Sequence, residues 1–593
     1  MSGRAPRAGN SALAAGALRS LLFAAAVYAS FALLCAAVYR GASSGPFLSD
    51  DAMIIVANPT LGLSGADLLR AAFAPTGDAR TFTGGNYAPL VHLAHAAEMR
   101  AFGVDTRGYH LVNVAVHALN ATLLVFLLRA SSVGAIPALL GGAFFALHPA
   151  NVEAVAWISQ LRTLLAMAFA LAALISFRSR PLCSVPLFGL SLLAKATGAF
   201  ALPMACAWCA TWWRDDELRR RRAGALALWG LIFALYAPLQ SGAFASISRA
   251  YHDPYGDLPT RIRSISSIAA HYLATAALGY GTSTYHEPDP VRSSLDPWWL
   301  AGVAAGVLLA WRIASSLRRR RAEAGWWLGA LAAFAPVSQV FPLFFAMGDR
   351  HLYFMLPGLI GGTLLAATEL AAALARRLAP GPARRLRTWA PRAALAASAL
   401  LLAALSAHAS ARARLWQSEE ALLSDAASQY PDGSIGHYVR AVIALQQGDR
   451  EQALVHLRAC ATRGGALVHP FHGDPRLAPL KGDPRFEALL RETDRIEIEA
   501  LEAQGSDDQR QLYKIASAHR RLGELDLAIE DLEKGLRAGG PIDADLLALL
   551  EQVRRERAGL PAPAIPEPAN APSANPMFDF LSGRGRPPER KGP

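Results

Sequence analysis

The sequence predicts an all-α protein, a polytopic membrane helix bundle of about eleven spans followed by a short α-solenoid. Three observations point there. Apolar residues make up 53% of the 593-residue chain, and its mean hydropathy is +0.24. Apolar stretches of membrane-crossing length recur from Leu18 to His408. Beyond about Arg412 the chain turns polar and internally repetitive.

The expected organisation is a cytoplasmic N-terminus over 1–17, a membrane domain over 18–410 with a large first loop at 41–107, a helical repeat domain over 411–558 and a disordered tail over 559–593. The first apolar run, Leu18 to Val38, follows Arg4, Arg7 and Arg19 and lacks a small-residue cleavage site. It is therefore expected to remain as a span rather than leave as a signal peptide. Arginine clusters at Arg178 and Arg180, at Arg214 with Arg219 to Arg222, at Arg318 to Arg321 and from Arg376 to Arg387 mark one side of the membrane as cytoplasmic. Spans consistent with that are 18–39, 109–130, 134–149, 161–177, 181–195, 197–213, 224–240, 297–316, 326–345, 351–375 and 390–408. If Ile262 to Tyr280 crossed as well, Arg318 to Arg321 would turn outward, so that segment is expected to be re-entrant or to lie along the interface.

The net charge of +12 sits in these short clusters, where it sets orientation, and does not form a nucleic-acid surface. Lys195 is the only lysine before Lys481. Of the five cysteines, Cys206 and Cys209 have the spacing of a redox motif, but inside a span they read as packing.

Costly polar clusters stand at the ends of apolar runs: Ser49-Asp50-Asp51, His148 to Glu153, and Asp349-Arg350-His351. A charge in a bilayer costs about 2.5–3.5 kcal/mol on insertion scales, so such clusters are functional candidates. In the topology above they share the extracytoplasmic side with the Lys195 turn and the loop from His252 to Glu287. At the membrane edge, Asp50 or Asp51 can act as a general base, each tuning the other; the plain alternative is a solvated loop start or helix cap. His110, Asn113, His117 and Asn120 recur at three- and four-residue spacing and make one polar stripe on a membrane helix. Hydrogen bonding between helices is the expected use of that stripe, with His110 nearest the outer surface and best placed for a site. Glu153 and Trp157, four apart, are expected on one helical face. His148 and Glu153 leave a divalent metal open, although tight spacing such as HExxH is absent. Arg350, Lys195 and Arg162 are cations suited to a phosphate, by planar fork or point charge; snorkelling, or pairing of Arg350 with Asp349, is the alternative.

In the polar region, aligning Gly448 with Gly523 places Ala441 over Ala516, Ala453 over Ala528 and Leu457 over Leu532. Small residues at close-packed positions with large apolar ones between are the tetratricopeptide pattern. Trp416–Tyr430 and Phe486–Leu501 are expected to add flanking helices, and Gly473-Asp474-Pro475-Arg476 and Gly482-Asp483-Pro484-Arg485 to start helices.

Several strings occur in a definite order: Asp50-Asp51 with Asn58-Pro59, Tyr87-Ala88-Pro89-Leu90, Gly108-Tyr109-His110-Leu111 with Asn113 and His117, His148-Pro149, Glu153, Trp157-Ile158-Ser159, Ala194-Lys195, and Gly348-Asp349-Arg350-His351-Leu352-Tyr353. With the trailing repeats, this chain resembles the GT-C superfamily of membrane glycosyltransferases, specifically the transmembrane and tetratricopeptide-repeat containing type related to protein O-mannosyltransferases. It departs from the family's usual strings at Ala88 (commonly arginine), at Thr163 (commonly an acid) and at Gly348 and His351.

The resemblance implies a GT-C-like bundle that transfers a sugar from a polyprenyl-phosphate carrier to a hydroxyl acceptor, on a protein or a glycan, at the extracytoplasmic face with inversion. It implies Asp50 or Asp51 as the base and Arg350, Lys195 and Arg162 as a phosphate clamp. His148, Glu153 and His110 would line the pocket, with Asp349 and His351 beside Arg350. The implied setting is a multi-pass protein of a bacterial inner membrane whose repeats bind a protein partner; no nucleic acid is involved. A non-catalytic scaffold and a lipid-linked sugar transporter are the rival readings, and donor cleavage separates them.

Overall fold

The computed structural model describes residues 8–75, 86–211, 216–249, 255–340, 343, 345–377, 380–463, 471–502, 509–539 and 542–560. The expectations concerning Arg4, Arg7, Arg214, His252 and the tail from Pro561 fall outside these residues. The described residues form helices and no strand, as long apolar runs with few interior prolines require.

The membrane part comprises α1 (Ala8–Val38), α2 (Gly65–Phe73), α3 (Pro89–Phe102), α4 (Thr106–Ala130), α5 (Ala135–Leu147), α6 (Val152–Ala156), α7 (Leu161–Ser179), α8 (Ser184–Ala194), α9 (Ala201–Thr211), α10 (Asp216–Arg249), α11 (Leu258–Leu278), α12 (Pro297–Arg318), α13 (Glu323–Phe334), α14 (Asp349–Arg377) and α15 (Pro380–Leu415). α4 lies at the centre, against α1, α5 and α7; α8 packs on α7, and α13 on both α9 and α14. Gly358 and Gly361 of α14 let Trp326 and its backbone lie flush, since an added Cβ would overlap them.

Among the described residues seven helices are long and apolar enough to cross a membrane, making this a multi-pass membrane protein. Each of the eleven expected apolar stretches contains a helix, but four of those helices are short. α5, α8, α9 and α13 have 13, 11, 11 and 12 residues, which at 1.5 Å per residue is about 17–20 Å. α5 continues into α6 across a 52° bend, so full-length crossings number seven, or eight with that pair. The breaks fall at His148-Pro149, at Lys195 and at Ala335-Pro336. Freed backbone groups are tolerated at membrane depth only inside protein or beside a polar cavity, and two of these breaks carry candidate site residues. The segment from Ile262, expected to be re-entrant or to lie along the interface, is part of one unbroken 21-residue helix, α11, as far as Leu278.

Several of the described arginines lie far along their helices from the site: Arg178 is near the end of α7, at whose start Arg162 lies, and Glu369 is late in α14, which Asp349 opens. Arg222 donates to Arg178 O, and Arg312, Arg319 and Arg321 all meet Glu369, late in α14.

The polar part comprises α16 (Glu419–Gln429), α17 (Ser434–Gln446), α18 (Arg450–Thr462), α19 (Pro484–Glu502), α20 (Gln509–Leu522), α21 (Leu525–Ala538) and α22 (Asp543–Arg557). α17 with α18 and α20 with α21 form two hairpins built alike. Each turns at a glycine, Gly448 or Gly523, with φ +81°, a conformation side chains resist. Ala441, Ala453, Ala516, Ala528, Leu457 and Leu532 are all fully buried between the helices. Asp483 caps the start of α19, whereas Asp474 caps only a short 3₁₀ turn over Pro475–Leu480.

Candidate active site

The first loop folds back so that the acid pair meets the segment before α7. Ser49, just ahead of the pair, holds φ +55°, which is unfavourable for any residue but glycine. Ser159 ties both acids: its Oγ–H donates to Asp50 Oδ1 (2.9 Å) and its N–H to Asp51 Oδ1 (2.8 Å). Leu48 N–H donates to Asp51 Oδ2 (3.1 Å), and Arg162 Nη2 lies 3.5 Å from Asp50 Oδ2. The Asp50 side chain is 31% exposed, whereas Asp51 is buried. Burial and the neighbouring Asp50 charge push the Asp51 carboxyl up to about 7, against the pull of its hydrogen bonds.

Beside the acids lies a donor-rich cradle. Lys195 Nζ donates to Thr163 Oγ1 (2.8 Å), and the threonine's own proton goes to Gln160 Oε1 (2.8 Å). Lys195 makes no ion pair among the described residues and stands 5.7 Å from the Phe354 ring, within electrostatic range of Arg162, Arg350, Glu153 and Asp50. Trp157 Nε1, Gln160 Nε2 and Arg162 Nε are buried and unpartnered among the described residues.

Glu153, in the short α6, accepts from Arg350 twice: from its N–H at 2.7 Å and from its guanidinium. The guanidinium also lies over Trp157 (5.5 Å), which stacks on Trp416 at 5.9 Å. Asp349 is not the partner of Arg350. Its Oδ1 lies 2.8 Å from His286 Nε2, and His286 Nδ1 lies 3.0 Å from Tyr430 Oη. His351 Nδ1 lies 3.2 Å from the Tyr272 hydroxyl, which accepts from Gly348 N–H (2.9 Å).

Comparison with known proteins now bears on this arrangement. Over 183 residues, covering 29% of this chain and 21% of the relative, the chain is 34% identical to the Drosophila melanogaster protein O-mannosyl-transferase Tmtc1. It is 33% identical over 179 residues to the Caenorhabditis elegans protein O-mannosyl-transferase F38B6.6, covering 28% of this chain and 25% of that protein. Over those stretches the chain is similar to protein O-mannosyl-transferases. The alignments thus span about a fifth to a quarter of the relatives' length. No protein-family model matches the chain, and no solved structure does.

In this chain the expected site residues divide into two groups. Asp50, Asp51, Arg162, Lys195, Glu153 and Arg350 come together, with Asp349 and His351 on either side of Arg350. His110 and His148 serve the framework. His110 Nε2 bonds Gly45 O (3.2 Å) and so holds the first loop, while His148 Nδ1 accepts from Ala150 N–H (3.3 Å) at the α5–α6 bend. The rest of the polar stripe bonds between helices: Asn113 to Val155 O, His117 to Ala146 O, and Asn120 to Leu164 O. Trp157 lies past the end of α6, so it does not share a helical face with Glu153. No group of three or more His, Cys, Asp or Glu positioned to hold a metal occurs among the described residues, and Glu153 is committed to Arg350.

Ser159, Gln160, Trp416, Tyr272, His286 and Tyr430 were not singled out for these roles from sequence. Ser159 could have been found from its place in the Trp157-Ile158-Ser159 string. His286 and Tyr430 carry no local signal, because their partners lie 63 and 144 residues away.

Proposed function

We propose that this protein is a membrane glycosyltransferase that moves a sugar, mannose by analogy with its relatives, from a polyprenyl-phosphate carrier to a hydroxyl acceptor. The observation that carries this reading is the pairing of an accessible carboxylate, Asp50, with a cradle of surplus donors around Lys195. Unsatisfied buried N–H groups are costly unless an anion meets them, and the departing lipid phosphate is such an anion.

In this reading Asp50 takes the acceptor hydroxyl's proton as the new C1–O bond forms and the bond from C1 to the phosphate oxygen breaks, with inversion. Lys195, Arg162 and the outer edge of Arg350 stabilise the charge that collects on the phosphate. Asp51 anchors the loop, and its burial keeps a second negative charge away from Asp50 below neutral pH. The arginines at the opposite end of the bundle favour a cytoplasmic setting there, which supports an extracytoplasmic site and extracytoplasmic repeats. Repeats of this build suit a protein partner.

The direct test uses purified protein in nanodiscs with polyprenyl-phosphate mannose carrying a labelled sugar. Release of free polyprenyl phosphate, dependent on Asp50, is expected. Donor that binds the wild-type protein but is never cleaved, whatever hydroxyl acceptor is supplied, would refute the enzyme reading in favour of a scaffold or transporter.

A further inference from the structure

A ten-residue strap, 282–291, runs between the membrane bundle and the repeat domain. On the repeat side, Thr284 Oγ–H donates to Leu422 O (2.7 Å). Glu287 accepts from the Ser434 hydroxyl and from Ile435 N–H (3.2 Å) at the start of α17. On the bundle side His286 forms an antiparallel bridge with Met347. Through the middle of the strap runs the chain Tyr430–His286–Asp349, in which His286 and Asp349 are 3% and 4% exposed.

The proton arrangement of this chain follows from its chemistry. With Asp349 ionised and His286 neutral, the ring carries its proton on Nε2 toward the carboxylate, and Nδ1 accepts from Tyr430. The tyrosine in the turn between α16 and α17 therefore sets the ring that holds Asp349. Asp349 opens α14 and is followed by Arg350, whose N–H is already held by Glu153. Fixing Asp349 from one side and Arg350 N–H from the other leaves the first turn of α14 little freedom.

From this we infer that the α16–α17 turn at the start of the repeat domain is a working part of the site, with Tyr430 and His286 as positioning residues for Arg350. The inference rests on the reading of Arg350 as a ligand of the donor phosphate. Simple adhesion between the two parts does not need a buried carboxylate adjoining that arginine; the exposed contact of Arg463 with Asp289 (3.1 Å) on the same strap would serve.

The test uses full-length protein in nanodiscs and four variants: Tyr430→Phe, His286→Gln, His286→Ala and, as a control on the same strap, Asp289→Asn. Protein level, thermal unfolding, affinity for polyprenyl phosphate alone and turnover of polyprenyl-phosphate mannose are measured. Tyr430→Phe removes one oxygen and is expected to weaken polyprenyl phosphate binding about two- to tenfold, the range set by a single hydrogen bond, with unfolding unchanged. His286→Gln, whose amide N–H can still reach Asp349, should retain more affinity than His286→Ala, and Asp289→Asn should match the wild type. If His286→Ala does not accumulate, Tyr430→Phe and His286→Gln decide the question. Wild-type affinity and turnover in both of these variants would overturn the positioning role while leaving the phosphate site intact. A wild-type protein that does not bind polyprenyl phosphate would instead remove the phosphate site itself, and this inference with it.

Discussion

Arg350 is held by Glu153 through both its main-chain N–H and its guanidinium, across 197 residues of sequence. The Glu153 side chain is 4% exposed and that of Arg350 17%, so each would be an uncompensated buried charge without the other.

Removing one partner of such a pair typically costs about 3–5 kcal/mol. Glu153→Ala should therefore lower protein level and melting temperature severely. Glu153→Gln, which keeps an acceptor for the Arg350 N–H, should be milder. Thermal unfolding in detergent of the two variants checks this order, and equal stability of both with the wild type would show that the pair is not structural.

Asp50 is the accessible acid, and loss of a general base costs about 10²–10⁴-fold in rate. Asp50→Asn should remove most transfer and leave donor binding near normal. Asp51→Asn should affect stability more than turnover, because both Asp51 oxygens already accept main-chain N–H bonds, from Leu48 and from Ser159. A reversal of the two phenotypes would make Asp51 the base.

The Asp51 carboxyl, raised from 3.8 to about 7, binds its proton more tightly folded than unfolded. Its contribution to stability is therefore full below about pH 4 and is lost as pH rises through about 7. Asparagine mimics the neutral form at every pH. The melting temperature of Asp51→Asn relative to wild type should consequently climb between about pH 5 and 8, and a flat difference over that range would contradict the raised value.

Among the described residues Lys195 donates only to the Thr163 hydroxyl, so it has donors left for a ligand. Lys195→Gln removes charge-assisted hydrogen bonds worth roughly 1.5–3 kcal/mol, a loss of about ten- to a hundredfold in donor affinity. Stability should change little, since no buried anion loses its partner. Calorimetric titration with polyprenyl phosphate measures the first effect and thermal unfolding the second.

Orientation can be tested with thiols. Cys183 is exposed beside Arg180, and Asp432 is 78% exposed in the repeat domain. In a Cys206→Ser background, a membrane-impermeant maleimide added to intact cells should label Asp432→Cys and spare Cys183. The opposite pattern would place the site on the cytoplasmic face.

Much of this architecture follows from the sequence itself. Hydrophobic runs specify helices because an apolar face or surface must be covered wherever it lies along the chain, and this holds for each of the eleven stretches. The register of Gly448 on Gly523 located both hairpins, since a turn with positive φ and small packed residues on either side are local requirements. The acid pair and the cations were likewise visible, being expensive at a membrane edge. What each charge touches was decided by tertiary structure. Asp349 and Arg350 are adjacent in sequence, yet one turns to His286 and the other to Glu153, because successive side chains on a helix point about 100° apart and meet different neighbours. Where the short helices break, and whether Lys195 finds an acid or a threonine, likewise depends on partners brought together from distant parts of the chain, and no periodicity within a segment records them.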